Sequence, residues 1–100
     1  MIKISEVQIT FVRPKDGHIG FASLVIDDSL YLDGIAIHTS PLRSSGYRLV
    51  FPVKKIKHNF GHDQLIPIFK PISAEAGLII ERAIADKIEE INDDKFSPKR

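Results

Sequence analysis

Three lysines, Lys54, Lys55 and Lys57, stand close together in the chain and follow a run of alternating apolar side chains, Tyr47, Leu49, Phe51 and Val53. Ammonium groups clustered at a strand end suit one chemistry: each one bound to a phosphate displaces a condensed counterion from a nucleic acid, a gain that shrinks as salt rises. The neighbouring sequence reinforces the pattern. Between Gly34 and His62 there is no acidic residue, while Arg43, Arg48 and the three lysines make five positive charges. His38, His58 and His62 add to them below neutral pH. The candidate phosphate contacts are therefore Arg43, Arg48, Lys54, Lys55, Lys57, His58 and Lys70. Phe60 and Tyr47 are the aromatic side chains placed to stack on bases. Tyr47 shares the apolar phase of its strand and reads as core, whereas Phe60, on a loop, stays open between stacking and core.

Other chemistries find less support. His58, His62 and Asp63 are ligand types for zinc or nickel, but no third and fourth ligand stands at a recognisable offset, so no metal is assigned. Asp27, Asp28 and Asp33 fall where turns use carboxylates to accept backbone hydrogen bonds. The chain has no cysteine, no Gly-x-Ser-x-Gly elbow and no phosphate loop, which leaves nucleophilic catalysis without a candidate. It reads as non-enzymatic and free of cofactors.

At 100 residues the chain is sized for one domain with a modest core, expected over residues 1–94 and followed by a disordered basic tail, 95–100. The absence of cysteine excludes a disulfide framework and fits a reducing compartment. No apolar run resembles a signal peptide or spans a bilayer, so the expectation is a cytoplasmic protein without a membrane partner. The net charge of +1 conceals a strong partition: residues 34–74 carry six basic and one acidic side chain, and residues 75–94 carry two basic and seven acidic ones. A positive segment beside a negative one is a partner signal.

The elements that must hold this segment follow from periodicity. Residues 2–13 alternate as a strand whose phase switches at Ser5-Glu6, which predicts a bulge. Pro14-Lys15-Asp16-Gly17 is a hairpin turn, and His18 to Ile26 a second strand, apolar on both faces and hence central. After the Asp27-Asp28-Ser29 turn, Leu30 to His38 forms a third strand, with Gly34 at a bulge that swaps faces. Thr39 to Gly46 is polar enough to be a mobile loop. Tyr47 to about Lys54 makes strand four, at an edge because Pro52 cannot donate to a ladder. Lys55 to Gln64 shows no period, and Leu65 to Phe69 makes a short fifth strand, also at an edge because of Pro67. Ser73 is the N-cap of the one convincing helix. Along it Ala76, Ile80, Ala83, Ile84, Ile88 and Ile91 form an apolar stripe, with Glu81, Arg82, Asp86, Glu89 and Glu90 off it and a stop at Asn92-Asp93-Asp94. The fold class is α+β: an antiparallel sheet of four to five strands followed by one long C-terminal helix. Strands marked as edges in so small a core call for cover by a second copy, and a homodimer is expected.

The order of these features resembles the SpoVG family (stage V sporulation protein G, septation regulators). The matching residues are Ile4-Ser5-Glu6-Val7, the Asp16-Gly17 turn, the strand from Ala22 to Asp27, Leu49-Val50-Phe51-Pro52 with the basic pair Lys54-Lys55, and Pro71-Ile72-Ser73 before the helix. The resemblance implies a small cytoplasmic dimer that binds DNA or RNA in bacterial gene regulation linked to sporulation and cell division. Two stretches depart from it. Residues 56–64 are longer than the family's loop and lack its Pro-Asp-Gly turn, and Phe69-Lys70 replaces Ala-His. The acidic helix would repel phosphate, so helix contacts are not carried over. The competing expectation is a protein-interaction module that uses the acidic helix or an exposed edge strand.

Overall fold

A computed structural model describes the backbone of residues 1–96 and the side chains of residues 1–93. Four strands, β1 (Ile4–Lys15), β2 (His18–Ile26), β3 (Leu30–Thr39) and β4 (Tyr47–Val50), form an antiparallel sheet in the order β1-β2-β3-β4. Two further strands, β5 (Val53–Ile56) and β6 (Gln64–Pro67), pair only with each other, and one helix, α1 (Ala74–Phe96), ends the described chain. The architecture is α+β, as the periodicity indicates.

Turn chemistry sets the meander. Asp16 and Gly17 both have positive φ, 52° and 86°, which makes a two-residue turn whose twist matches the flanking strands. Pro14, expected in this turn, lies instead inside β1, where an edge strand tolerates it. Asp27 and Asp28 also take positive φ, and the Asp27 carboxylate accepts the Lys3 backbone N–H at 2.8 Å, a turn use of aspartate as expected. The β1 bulge falls where the phase switches, between Ser5 and Gln8, with Glu6 at φ 53°. Gly34, at φ 82°, is the extra residue that shifts β3 against β2.

One face of the sheet is closed by α1. Ala22, Leu24, Ile35 and Ile37 meet Ile80, Ile84 and Ile88 in the buried core, with Val7, Ile9, Tyr47, Leu49 and Phe51 packed around them. The stripe read from the sequence is the stripe that docks. At its start Ser73 Oγ accepts the Ala76 N–H at 3.1 Å, the expected cap. The helix does not stop at Asn92-Asp93-Asp94 but runs on to Phe96: asparagine and aspartate are weak helix formers rather than obligatory breakers. Lys95 and Phe96, expected in a disordered tail, are thus helical, and the rest of that tail, 97–100, lies outside the described residues. Among the described residues no layer covers the opposite face of the sheet: Phe21, Tyr31 and Val50 are exposed there. No helix among the described residues is long and apolar enough to cross a membrane.

Candidate nucleic-acid interface

The lysine cluster sits on a projecting β-ribbon. A continuous strand from Tyr47 to Lys54 was the expectation, but β4 ends at Val50 and the chain re-enters a ladder only at Val53. The cause is Phe51-Pro52: Phe51 turns into the core against Phe69, with ring centroids 6.0 Å apart, and Pro52 has no N–H to continue the sheet. The Pro52 carbonyl instead accepts the Ile68 N–H at 2.9 Å and closes the base of the ribbon. Residues 55–64, read as aperiodic, are its outer half: Ile56 faces Gln64 and Lys55 faces Leu65 in register. The fifth strand therefore begins at Gln64 rather than Leu65 and ends at Pro67. Apart from Ile56, every residue of the ribbon strands is exposed. The whole molecule measures 63 × 33 × 23 Å, elongated for its length.

Alternation along β5 sends Lys54 and Lys55 to opposite faces of the ribbon. Lys55 Nζ pairs with Asp63 Oδ2 at 3.1 Å across the hairpin, which ties down part of its charge. Lys54 faces Ile66, and Lys57 stands beyond the ladder toward the tip; neither has a carboxylate within ion-pair reach among the described residues. His58 Nε2 lies 3.2 Å from Gln64 Oε1. Phe60 projects from the tip, 96% exposed, so it has no part in the core, whereas Tyr47 packs on the core as its phase indicates. Asp63 is thus held by Lys55 and His58 by Gln64, and no three metal-ligand side chains converge among the described residues.

The remaining candidates lie elsewhere. Lys70, past the ribbon, borders an apolar cleft with Ile2, Leu32, Phe51 and Phe69. Arg43 is bound to the helix: its Nη1 is 3.2 Å from Glu81 Oε1, and Ser45 Oγ donates to Glu81 Oε2 at 2.8 Å. Glu81, expected off the stripe, is only 7% exposed. It stands next to the core-facing Ile80 and is covered by the loop of residues 40–46. That loop, expected to be mobile, is closed by Ser40 N–H to Gly46 C=O and Gly46 N–H to Arg43 C=O bonds of 2.8 and 2.9 Å.

Arg48 belongs to the uncovered face of the sheet. It pairs with His38, His38 with His18, and His18 with Lys15, one residue from each strand of the sheet. The His18 and His38 rings are 5.0 Å apart. Burial, then the Arg48 guanidinium, then His18 hold the His38 imidazole below its ordinary range, since each disfavours a second positive charge there. The sequence alone conceals this row, because irregularities beside His18 in both of its ladders alter the phase.

No protein-family model, curated protein or solved structure matches the chain.

Proposed function

We propose that this is a small nucleic-acid-binding regulatory protein that contacts phosphates through the β5–β6 ribbon. The observation that carries the reading is the ribbon itself: an exposed two-stranded antiparallel arm bearing Lys54, Lys55 and Lys57 with His58 near its tip. A two-stranded ribbon has the width to enter a major groove, and its lysines would then lie between the phosphate walls. The order of apolar strand, proline, basic pair and Pro-Ile-Ser helix supports a regulator of the SpoVG type, acting in the cytoplasm on gene expression tied to sporulation or cell division. Neither an enzymatic activity nor a cofactor is part of this reading. It includes a homodimer, because an isolated two-stranded ribbon is marginal in water and this one leaves Val53, Leu65 and Ile68 exposed. The competing interaction-module reading draws on the same free edges.

The test replaces Lys54 and Lys55 with alanine and follows duplex binding by anisotropy over a salt series. Each lysine–phosphate pairing that the substitutions abolish should make the slope of log affinity against log salt shallower by about 0.9, so the double variant is shallower by up to about 1.8 per protomer. Lys55 should contribute the smaller part, since Asp63 already competes for it. Arg82→Ala, on the exposed side of α1, is the control. An unchanged slope, or an equal weakening in the control, would hand the ribbon to the interaction-module reading. Light scattering on the same samples reads the dimer.

A further inference from the structure

The uncovered face of the four-stranded sheet has a composition that neither an ordinary solvated face nor a buried one has. At one end lies the row Lys15, His18, His38 and Arg48, which crosses all four strands. With strands about 4.8 Å apart, it extends roughly 14 Å. On the same face, Phe21 is in register with Thr10 on one side and Ala36 on the other, and Ala36 with Val50. Phe21 and Val50 are 39% and 40% exposed, and the small Ala36 between them leaves a shallow floor. The His18 ring stands edge-on to Phe21 at 4.9 Å. The irregular register beside His18 matters here: in a regular strand residues 18 and 21 would point to opposite faces.

We infer that this face binds a single-stranded stretch of nucleic acid, with a base stacked on Phe21 and flanking phosphates held by the Lys15–His18–His38–Arg48 row. The inference rests on the nucleic-acid reading above but assigns a different surface and a different form of the ligand. Stacking on an exposed aromatic of a sheet is tolerant of base identity, and a cationic row beside it tracks the backbone. Charge complementarity selects the occupant: Lys15 and Arg48 are permanent cations at the two ends of a row that contains no carboxylate. The groups facing His38 within the row are His18 from β2 and Arg48 from β4, with Lys15 of β1 beyond His18. The carboxylate nearest the row in the chain is Asp16, in the turn beside Lys15. Asp33 is engaged by the Tyr31 hydroxyl at 3.3 Å and the Gly34 N–H at 2.7 Å.

The experiment measures binding of fluorescent 12-residue oligo-U and oligo-dT strands, and of a mixed-sequence duplex, by the full chain and three variants. Phe21→Leu keeps apolar bulk but removes the ring, and should weaken single-strand binding on the order of tenfold while leaving duplex affinity unchanged. Arg48→Gln should flatten the single-strand salt slope by about 0.7. The Lys54→Ala/Lys55→Ala protein should retain most single-strand affinity and lose duplex affinity. Tighter binding of either the ribose or the deoxyribose strand supports the proposal and identifies the source. Wild-type affinity in Phe21→Leu, or no single-strand binding by the wild type, overturns it; duplex binding that still depends on Lys54 and Lys55 would leave the ribbon reading intact. A change of molecular mass in Phe21→Leu by light scattering also overturns it, because the face would then be covered by a second copy.

Discussion

Glu81 is the residue whose removal best tests how the loop before β4 is held. Its carboxylate is buried, accepts the Ser45 hydroxyl at 2.8 Å and pairs with Arg43 at 3.2 Å. A hydrogen bond to a charged group is worth about 1.5–3 kcal/mol net. The Arg43 partner is half exposed, so solvent screening limits that pair to at most about 1 kcal/mol. Alanine also relieves the cost of holding a charge away from water, and the net expectation is a destabilisation of about 2 kcal/mol. For a domain this small that lowers the melting temperature by about 8–16 °C. Glu81→Gln keeps an acceptor for Ser45 and forfeits only the ion pair, so it should cost about 1 kcal/mol. Urea melts of these variants, with Glu89→Ala on the exposed side of α1 as reference, supply the measurement. A Glu81→Ala protein within about 0.5 kcal/mol of wild type, the value for an ordinary surface substitution, would refute the claim that this carboxylate ties loop to helix.

Ile84 is fully buried between helix and sheet, and Ile84→Ala should destabilise by about 2–5 kcal/mol in the same melts, well beyond any surface exchange on α1. His38, whose folded-state affinity for a proton is lowered by burial and then by Arg48 and His18, makes stability fall with acid. The unfolded chain takes up the proton more readily, so this contribution is complete above about pH 6.5 and disappears as pH drops below it. Urea midpoints at pH 7.5 and 5.5 should differ less in His38→Gln than in wild type, and an identical pH difference in the two proteins would exclude this role.

Local chemistry made the meander legible. Asp16-Gly17, Gly34 and the phase switch at Ser5-Glu6 each announce a backbone event that only a few residue types allow, and each occurs where its residues stand. The helix stripe was legible for the same reason: of its six apolar positions at helical spacing, Ile80, Ile84 and Ile88 are the ones that enter the core. What failed was information that is not local. Pro52 marks the end of a ladder, but nothing in Val53-Lys54-Lys55-Ile56 says that the next ladder partner is Gln64 to Pro67 rather than the main sheet. Glu81 looks solvated because a helical wheel places it off the stripe; only the return of Ser45 and Arg43, far away in sequence, covers it.

The candidate site was legible as composition and misread as geometry. A run of cations without carboxylates is visible in the sequence, and three of its members, Lys54, Lys55 and Lys57, stand in or beside one strand of the ribbon. The same run suggested a single patch, whereas folding divides it in three. Arg43 goes to a buried carboxylate, Arg48 to a row of imidazoles on the sheet, and the lysines to the ribbon. Lys15 and His18 are far from the run in sequence and enter only through strand pairing. The separation bears on the proposed function, which assigns duplex to the ribbon and unpaired bases to the sheet face around Phe21.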